Sequence, residues 1–291
     1  MKRPKILIIG ARGFLGSYAV EAASSKADVT RGDRSNPESD GVAIDIRDAS
    51  SVDKAFAATR PDGILLLAAM ADIDKCEAQP GEAFAINVQG AEHVARACAR
   101  SGARLVFAST GAVFDGLKQG YGEDDDVSPI SVYGKTKFEA EEIVRALTPS
   151  AAIVRLSLVI GWARRHGTNS MLNTLRERWQ EGNAVSFPVA EVRNPVHAAS
   201  AAEAMASLLV EHREMRGVFH AGSSDAISRY ELGRRLAERM NVRDDLVKPQ
   251  TEISPGRAPR GAHHFLLPWK LQKLLGTKAQ SSEQVIEGCF A

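Results

Sequence analysis

Residues 5–16 read KILIIGARGFLG, and the order of residue types in this stretch decides the fold. The run Lys5–Ile9 is short and apolar and ends in glycine, which is typical of a buried parallel strand. An alanine-rich helix is predicted to follow from Phe14 to about Ser24. A glycine-rich turn between the two can bring backbone N–H groups and the helix N-terminus close to a pyrophosphate, because no side chain blocks the approach. The predicted pyrophosphate contacts are Gly10, Gly13, Phe14, Leu15 and Gly16.

Strand-like runs continue to alternate with helical stretches up to about residue 160. Further strands are predicted at Asp28–Arg31, Val42–Asp45, Gly63–Leu67, Arg104–Ala108 and Ala151–Leu156. Helices are predicted at Ser51–Thr59, Gly81–Arg100 and Tyr133–Ala146. This alternation predicts an α/β fold, a Rossmann-type doubly wound parallel sheet with helices on both faces.

The pattern becomes less regular in the second half of the chain. Helices are predicted at Asn169–Gln180, Ala198–Glu211 and Ser228–Met240, short strands near Val185 and Val218, and a loop over Lys248–Gly261. We therefore expect residues 1–165 to form an NAD(P)-binding domain, with 188–212 woven back into it. Residues 166–187 and 213–291 would form a smaller C-terminal α/β lobe that binds substrate.

Composition excludes several classes of function. The chain has 291 residues with 37 basic against 36 acidic side chains, a formal net charge of +1, so a general nucleic-acid binder is not expected. No apolar run approaches the roughly 20 residues that span a bilayer, which favours a cytoplasmic protein without a membrane segment. Neither the acidic run 123–126 nor His263-His264 has the spacing of a metal-ligand set, so no metal is predicted.

The end of the second predicted strand bears on the choice between NAD and NADP. Asp33 could accept hydrogen bonds from a ribose 2′-hydroxyl, which would favour NAD. Arg34, helped by Arg12, could instead hold a 2′-phosphate. We expect NADP to be preferred, because two guanidiniums can pair with the phosphate while Asp33 turns away.

A tyrosine and a lysine at the start of one predicted helix are the candidate catalytic pair. Tyr133 and Lys137 stand four residues apart and therefore on one helical face. A nearby cation stabilises a phenolate and would lower the tyrosine pKa, making it a usable acid or base. Thr110, with Ser109 second, follows the strand Arg104–Ala108 and could hydrogen-bond a substrate carbonyl as it gains charge.

Taken in order, these motifs resemble the extended short-chain dehydrogenases/reductases, and most of all their dTDP-4-dehydrorhamnose reductase branch. The resemblance implies that Thr110 polarises the substrate carbonyl, that Tyr133 donates the proton, and that Lys137 binds the nicotinamide ribose and tunes Tyr133. It also implies further contacts with the cofactor, namely Asp45 and Ile46 beside the adenine, Ala68, Ala69 and Met70 along the path to the nicotinamide, and Asn87 on the following helix. Val113, Phe114 and Arg193 would contact the substrate, Arg193 at a diphosphate.

The chain departs from that branch at the residues after the catalytic threonine, where Gly111 and Ala112 replace an acid and a tyrosine. Ser200 also replaces a common aspartate. The resemblance implies an NAD(P)H-dependent reductase that acts on a keto group of a nucleotide-activated deoxysugar. Two alternatives stay open: an epimerase or dehydratase that uses the same residues, and a non-catalytic NADP-binding protein, as in the regulatory subunit of methionine adenosyltransferase. Amphipathic helices could serve the core or a homodimer interface equally well.

Overall fold

The computed structural model describes residues 3–34, 41–165, 168, 170–252, 254 and 256–291. Its strands in chain order are β1 Lys5–Ile9, β2 Asp28–Asp33, β3 Gly41–Ala43, β4 Gly63–Leu66, β5 Arg104–Thr110, β6 Ala152–Leu156, β7 Val159–Ile160, β8 Val185–Pro188, β9 Val192–Arg193, β10 Val196–His197, β11 Gly217–Ala221, β12 Ile227–Ser228, β13 Val247–Gln250 and β14 His263–His264. The α-helices are α1 Phe14–Ser24, α2 Ala49–Thr59, α3 Ile73–Ala78, α4 Pro80–Phe84, α5 Gly90–Ser101, α6 Val132–Leu147, α7 Met171–Gln180, α8 Ala198–Val210, α9 Arg229–Arg239, α10 Trp269–Leu275 and α11 Ser282–Gly288.

Seven strands form one parallel sheet in the order β11-β6-β5-β4-β1-β2-β3. The chain runs from β1 outward through β2 and β3, and then returns to place β4 on the other side of β1. Ligands of such sheets bind in the crevice at this reversal, beyond the carboxyl ends of the strands. The predicted fold class is therefore confirmed, and the crevice lies between the ends of β1 and β4.

Helices cover both faces of the sheet, which explains why β1 is apolar on both sides. Ile6 and Ile8 pack with α1 and α8 in one core, while Leu7 and Ile9 pack with α2, α5 and α6 in another. Small side chains such as Ala23 on α1 let these helices approach the sheet closely. Within the described ranges, no helix is both long and apolar enough to cross a membrane.

The helix predicted at Gly81–Arg100 is interrupted. Its first turns are α4, its last part is α5, and a π-helical turn at Ala85–Gln89 joins them. Such turns contain one residue more than an α-helical turn and recur at functional sites. Here the π turn carries Asn87, which is buried.

The C-terminal lobe is built on three small sheets. In these, β8 pairs with β13, β9 pairs with β12 and β14, and β7 pairs with β10. The strand β13 corrects the prediction of a loop over Lys248–Gly261. Its Pro249 cannot donate a ladder hydrogen bond but is tolerated, because a two-stranded sheet consists of edge strands.

The strand predicted near Val218 does not belong to the lobe in which the sequence analysis placed it. It is β11, which pairs with β6 at the edge of the main sheet. Val218 lies opposite Ile153 in this pairing. The crossover between the two strands includes α8, which packs against α1 on the main sheet.

Candidate active site

The glycine-rich turn has the geometry of a pyrophosphate cradle. Gly10 N–H donates a 2.8 Å hydrogen bond to Gly32 O and anchors the turn to β2. A Cβ atom at Gly16 would lie 2.1 Å from Gly10 O, so only glycine lets α1 begin this close to the turn. Gly13 caps the helix without a side-chain hydrogen bond, which leaves the first amides of α1, those of Phe14 and Leu15, to a ligand.

A cavity of about 330 Å³ opens beside this turn, at the crevice between β1 and β4. Of the predicted cofactor contacts, it is lined by Gly10, Gly13, Asp33, Arg34, Asp45, Ile46, Ala68 and Ala69. An extended groove along a helix N-terminus, with small alanines on the opposite wall, fits the diphosphate and adenosine of a dinucleotide. The residues present are therefore compatible with the predicted cofactor.

The carboxylate of Asp33 faces the turn. Its Oδ1 accepts a 2.9 Å hydrogen bond from the backbone N–H of Arg12. Arg34 is exposed at the mouth of the same cavity. Arg47, which the sequence analysis missed, also lines the cavity, and its Nη2 lies 2.6 Å from Asp45 Oδ2. This hydrogen bond lowers the pKa of Asp45.

Asn87 is hydrogen-bonded to the backbone of Met70, one of the predicted cofactor contacts. Its Oδ1 accepts a 2.8 Å hydrogen bond from Met70 N–H, and its Nδ2 donates at 3.1 Å to both Met70 O and Thr136 Oγ1. The π turn places this side chain inward, between the end of β4 and the catalytic helix. The polar atoms of Asn87 are thus engaged by Met70 and Thr136, and its predicted place near the cofactor stays a prediction.

Thr110 and Tyr133 come together as predicted. The Thr110 hydroxyl accepts a 3.1 Å hydrogen bond from Ala112 N–H, and it lies close enough to the Tyr133 hydroxyl to lower the pKa of that phenol. A Cβ atom at Gly134 would lie 2.2 Å from Ala112 O, so glycine after the tyrosine is what allows α6 to approach this turn. The two hydroxyls form one polar end of a larger cavity.

Lys137 is buried one turn along α6 from Tyr133. Burial lowers the pKa of Lys137 to about 7, and the charge of Glu141 opposes this shift. The structure differs from the expectation that Lys137 lowers the tyrosine pKa. Burial raises the pKa of Tyr133 to about 12, and only the neighbouring Thr110 side chain acts in the opposite direction. Tyr133 is therefore a protonated acid at neutral pH.

A buried ion pair between Arg155 and Glu141 lies next to Lys137 and was not predicted from the sequence. Arg155 Nη2 donates a 2.7 Å hydrogen bond to Glu141 Oε2, and its Nε donates at 3.1 Å to both carboxylate oxygens. Ser109 Oγ also donates to Glu141. Glu141 stands four residues after Lys137, so the ion pair connects the catalytic helix to the ends of β5 and β6.

The larger cavity, of about 460 Å³, separates the Thr110–Tyr133 pair from the C-terminal lobe. Its lobe side carries four arginines, namely Arg193, Arg229, Arg257 and Arg260. Of these, only Arg193 was predicted from the sequence to contact the substrate. The other three are distant in sequence and belong to a helix start and a predicted loop, so no spacing pattern connects them.

Two predicted substrate contacts lie elsewhere. Val113 and Phe114 are fully buried and do not line the cavity; Phe114 stacks on Tyr121 with ring centroids 4.2 Å apart. The tight turn after β5 directs them into the core and presents Gly111 and Ala112 to the cavity instead. Arg193 does line the cavity, but its guanidinium donates to Val192 O, Ala262 O and Gly261 O.

Comparison with known proteins gives a consistent result. The family model described as the RmlD substrate binding domain matches residues 4–291. A spore coat polysaccharide biosynthesis protein of Bacillus subtilis is 30% identical over 273 residues, which cover 90% of this chain and 88% of that protein. The dTDP-4-dehydrorhamnose reductase of Mycobacterium tuberculosis is 31% identical over 271 residues, covering 90% of this chain and 84% of the reductase.

The chain is also similar in structure to solved proteins. The crystal structure of dTDP-4-dehydrorhamnose reductase from Bacillus anthracis in complex with NADP superposes with a TM-score of 0.88 at 27% identity. The match covers 100% of this chain and 99% of that one. The likeness therefore includes the lobe as well as the seven-stranded sheet.

Proposed function

The chain belongs to the family of the RmlD substrate binding domain, and on this premise we propose that it reduces the keto group of a nucleotide-activated deoxysugar with NADPH. The general activity, that of an NAD(P)H-dependent sugar-nucleotide reductase, was predicted from the sequence and is confirmed by the named relatives. The observation that carries the proposal is the Thr110–Tyr133 hydroxyl pair at the end of a cavity that reaches the lobe. The identity of the sugar and nucleotide belongs to the proposal.

The site has the parts that a ketone reduction needs. A reduced nicotinamide, when bound, supplies a hydride to the carbonyl carbon. The carbonyl oxygen would lie against Thr110 and Tyr133, whose hydroxyls stabilise the negative charge that develops there. Tyr133 then gives its proton to that oxygen and regains one from solvent. Because burial keeps its pKa at about 12, Tyr133 carries this proton at neutral pH.

Lys137 has a different task in this proposal. Its amino group is held at the floor of the site, on the same helical face as Tyr133. The resemblance assigns it to the ribose hydroxyls of the cofactor, where it can donate or accept a hydrogen bond. With a pKa of about 7, it can also exchange protons near neutral pH.

The preference for NADP rests on the orientation of Asp33. Its Oδ1 accepts the Arg12 amide hydrogen bond, which ties one oxygen of the carboxylate to the turn. Arg34 and Arg47 line the cavity beside this turn and provide positive charge for a 2′-phosphate. The named structural relative from Bacillus anthracis is a complex with NADP, and the preference of this chain for NADP is our proposal.

The test is a titration of the purified protein with NADPH and NADH, followed by turnover with 4-keto sugar nucleotides. We expect tighter binding of NADPH, a preference that Arg34→Gln reduces, and consumption of NADPH in proportion to the ketone reduced. Binding of neither cofactor to folded protein would overturn the proposal. Retained NAD that is not consumed during turnover would favour the epimerase or dehydratase alternative. The cytoplasmic location and the homodimer stay predictions.

A further inference from the structure

The four arginines of the larger cavity differ in how their charges are compensated. Arg193 Nη2 lies 3.3 Å from Glu191 Oε2, and Arg257 Nη1 lies 2.5 Å from Glu191 Oε1. Arg260 forms a two-pronged pair with Asp74, at 2.7 Å and 3.0 Å. Three of the four guanidiniums are therefore held by two carboxylates on the cavity wall.

Arg229 is the exception. Its backbone N–H donates a 2.7 Å hydrogen bond to Glu191 O at the start of α9. Its side chain lines the cavity but makes no hydrogen bond or ion pair with any residue that the structure describes. Burial lowers the pKa of Arg229, the more distant charge of Glu191 raises it, and the charges of Arg257 and Arg260 lower it again.

A guanidinium that lines a cavity without a hydrogen-bonded or ionic partner is unfavourable in the ligand-free protein. A partly dehydrated guanidinium loses water without gaining a partner, and neighbouring cations add repulsion. An anionic oxygen group that enters the cavity removes both costs, because it pairs with the guanidinium in a charge-assisted hydrogen bond. The charge distribution thus selects the sign of the ligand group at this wall.

We propose that Arg229 is the residue that binds the anionic group of the substrate and thereby sets the charge specificity of the cavity. This inference rests on the proposed function and deepens it. Arg193, the predicted diphosphate ligand, is less suited to the task. Its guanidinium donates to three backbone carbonyls and faces Glu191, so a new partner would have to displace these contacts.

The anionic group could be the diphosphate of a nucleotide sugar or a carboxylate on the sugar itself. Both offer paired oxygens to a guanidinium, and ligands with and without the carboxylate separate them. We would compare Arg229→Gln with Arg234→Gln, which removes the same charge from the same helix. Arg234 is an exposed residue that pairs with Glu231 and Glu238 and does not line the cavity.

The measurement is calorimetric titration of the NADP-loaded protein with dTDP, UDP-glucose and UDP-glucuronate. We expect Arg229→Gln to weaken binding about 10- to 100-fold, the range for loss of a hydrogen bond to a charged group. A loss shared by all three ligands assigns the diphosphate to Arg229. A loss confined to UDP-glucuronate assigns the carboxylate and equally supports an anion site. Arg234→Gln should bind like the unmodified protein.

Two results would overturn the inference. One is unchanged affinity of Arg229→Gln for all three ligands, or no binding of any of them by the unmodified protein. The other is a lower unfolding temperature of ligand-free Arg229→Gln than of Arg234→Gln, since that would reveal a structural partner. NADPH affinity and reductase turnover of the unmodified protein are measured separately, so the proposed function can hold while this inference fails.

Discussion

Lys137 Nζ donates a 2.7 Å hydrogen bond to the carbonyl oxygen of Ala108. The same nitrogen lies 3.9 Å from the centroid of the Phe107 ring. One side chain of α6 is thereby fixed to the end of β5, the strand that also carries Thr110. This contact fixes α6 relative to the strand that carries the proposed catalytic Thr110, and it places the lysine where water cannot solvate its charge.

The first prediction concerns stability and pH. A lysine in an unfolded chain titrates near 10.4, whereas the pKa of Lys137 in the folded chain is about 7. Between these values the unfolded chain binds more protons, so the free energy of unfolding contributed by this group rises with pH. We expect Lys137→Met to be more stable than the unmodified protein near pH 6, with an advantage that shrinks towards pH 10.

Urea unfolding of the cofactor-free protein at several pH values measures this difference. Lys135→Met is the matched control, because Lys135 is an exposed lysine on the same helix. An advantage of Lys137→Met that stays constant between pH 6 and 10, or that the control shares, would contradict the prediction.

The second prediction concerns the proton donor. Tyr133→Phe removes the acid but keeps the ring, so turnover should fall by about 10²- to 10⁴-fold, the usual contribution of general acid catalysis. NADPH affinity should change little, because the phenol faces the substrate cavity. Steady-state rates and cofactor titration check both parts, with Tyr230→Phe as the control for loss of a hydroxyl in the lobe. Unchanged turnover of Tyr133→Phe would exclude its catalytic role.

The third prediction concerns the buried ion pair. Glu141→Gln leaves the Arg155 charge without its counter-ion in a site where both side chains are almost completely buried. Breaking such a pair from one side costs about 3–5 kcal/mol. We expect Glu142→Gln, which alters an exposed pair with Arg145 on the same helix, to cost about 0–1 kcal/mol.

Chemical denaturation of the two variants measures the difference in unfolding free energy. The double variant Glu141→Leu/Arg155→Met removes both charges and should recover much of the loss, because apolar replacements of buried pairs are often tolerated. Equal unfolding free energies of Glu141→Gln and Glu142→Gln would mean that the Glu141–Arg155 pair contributes no more to stability than the exposed pair does.

The fourth prediction concerns the cofactor turn. Gly16→Ala places a Cβ atom against Gly10 O and must push α1 away from the turn. We expect NADPH affinity to fall by at least about tenfold, equivalent to about 1.4 kcal/mol. Gly81→Ala is the control, because a Cβ atom there meets nothing within 4 Å. Circular dichroism and thermal unfolding establish that each variant is folded, and equal NADPH affinities in folded variants would argue against the proposed role of the turn.

Local patterns predicted the parts of this molecule that depend on neighbours in sequence. The apolar run of β1, the glycine turn and the helix that starts beside Tyr133 each follow from a few consecutive residues, and the parallel sheet follows from their alternation. Thr110 was predicted because it ends a strand, and the carboxyl ends of parallel strands lie on one edge of the sheet.

Other features depend on contacts that no local pattern encodes. The turn after β5 directs Phe114 into the core, and its direction is set by backbone angles rather than by residue type. Arg229, at the start of α9, and Arg257, in a loop, line one cavity although they are distant in sequence. The direction of the Tyr133 pKa shift depends on burial, which here outweighs the effect expected from the lysine four residues away.

The π turn at Ala85–Gln89 also restricts how this chain can change over evolutionary time. Loss of one residue from the turn would restore a regular helix but rotate all of α5 by about 100° relative to α4. Val94 and Cys98, which now face the sheet, would turn away from it, and Asn87 would no longer reach Met70. Insertions and deletions should therefore be rare at this point among homologous sequences, even where the residues themselves have diverged.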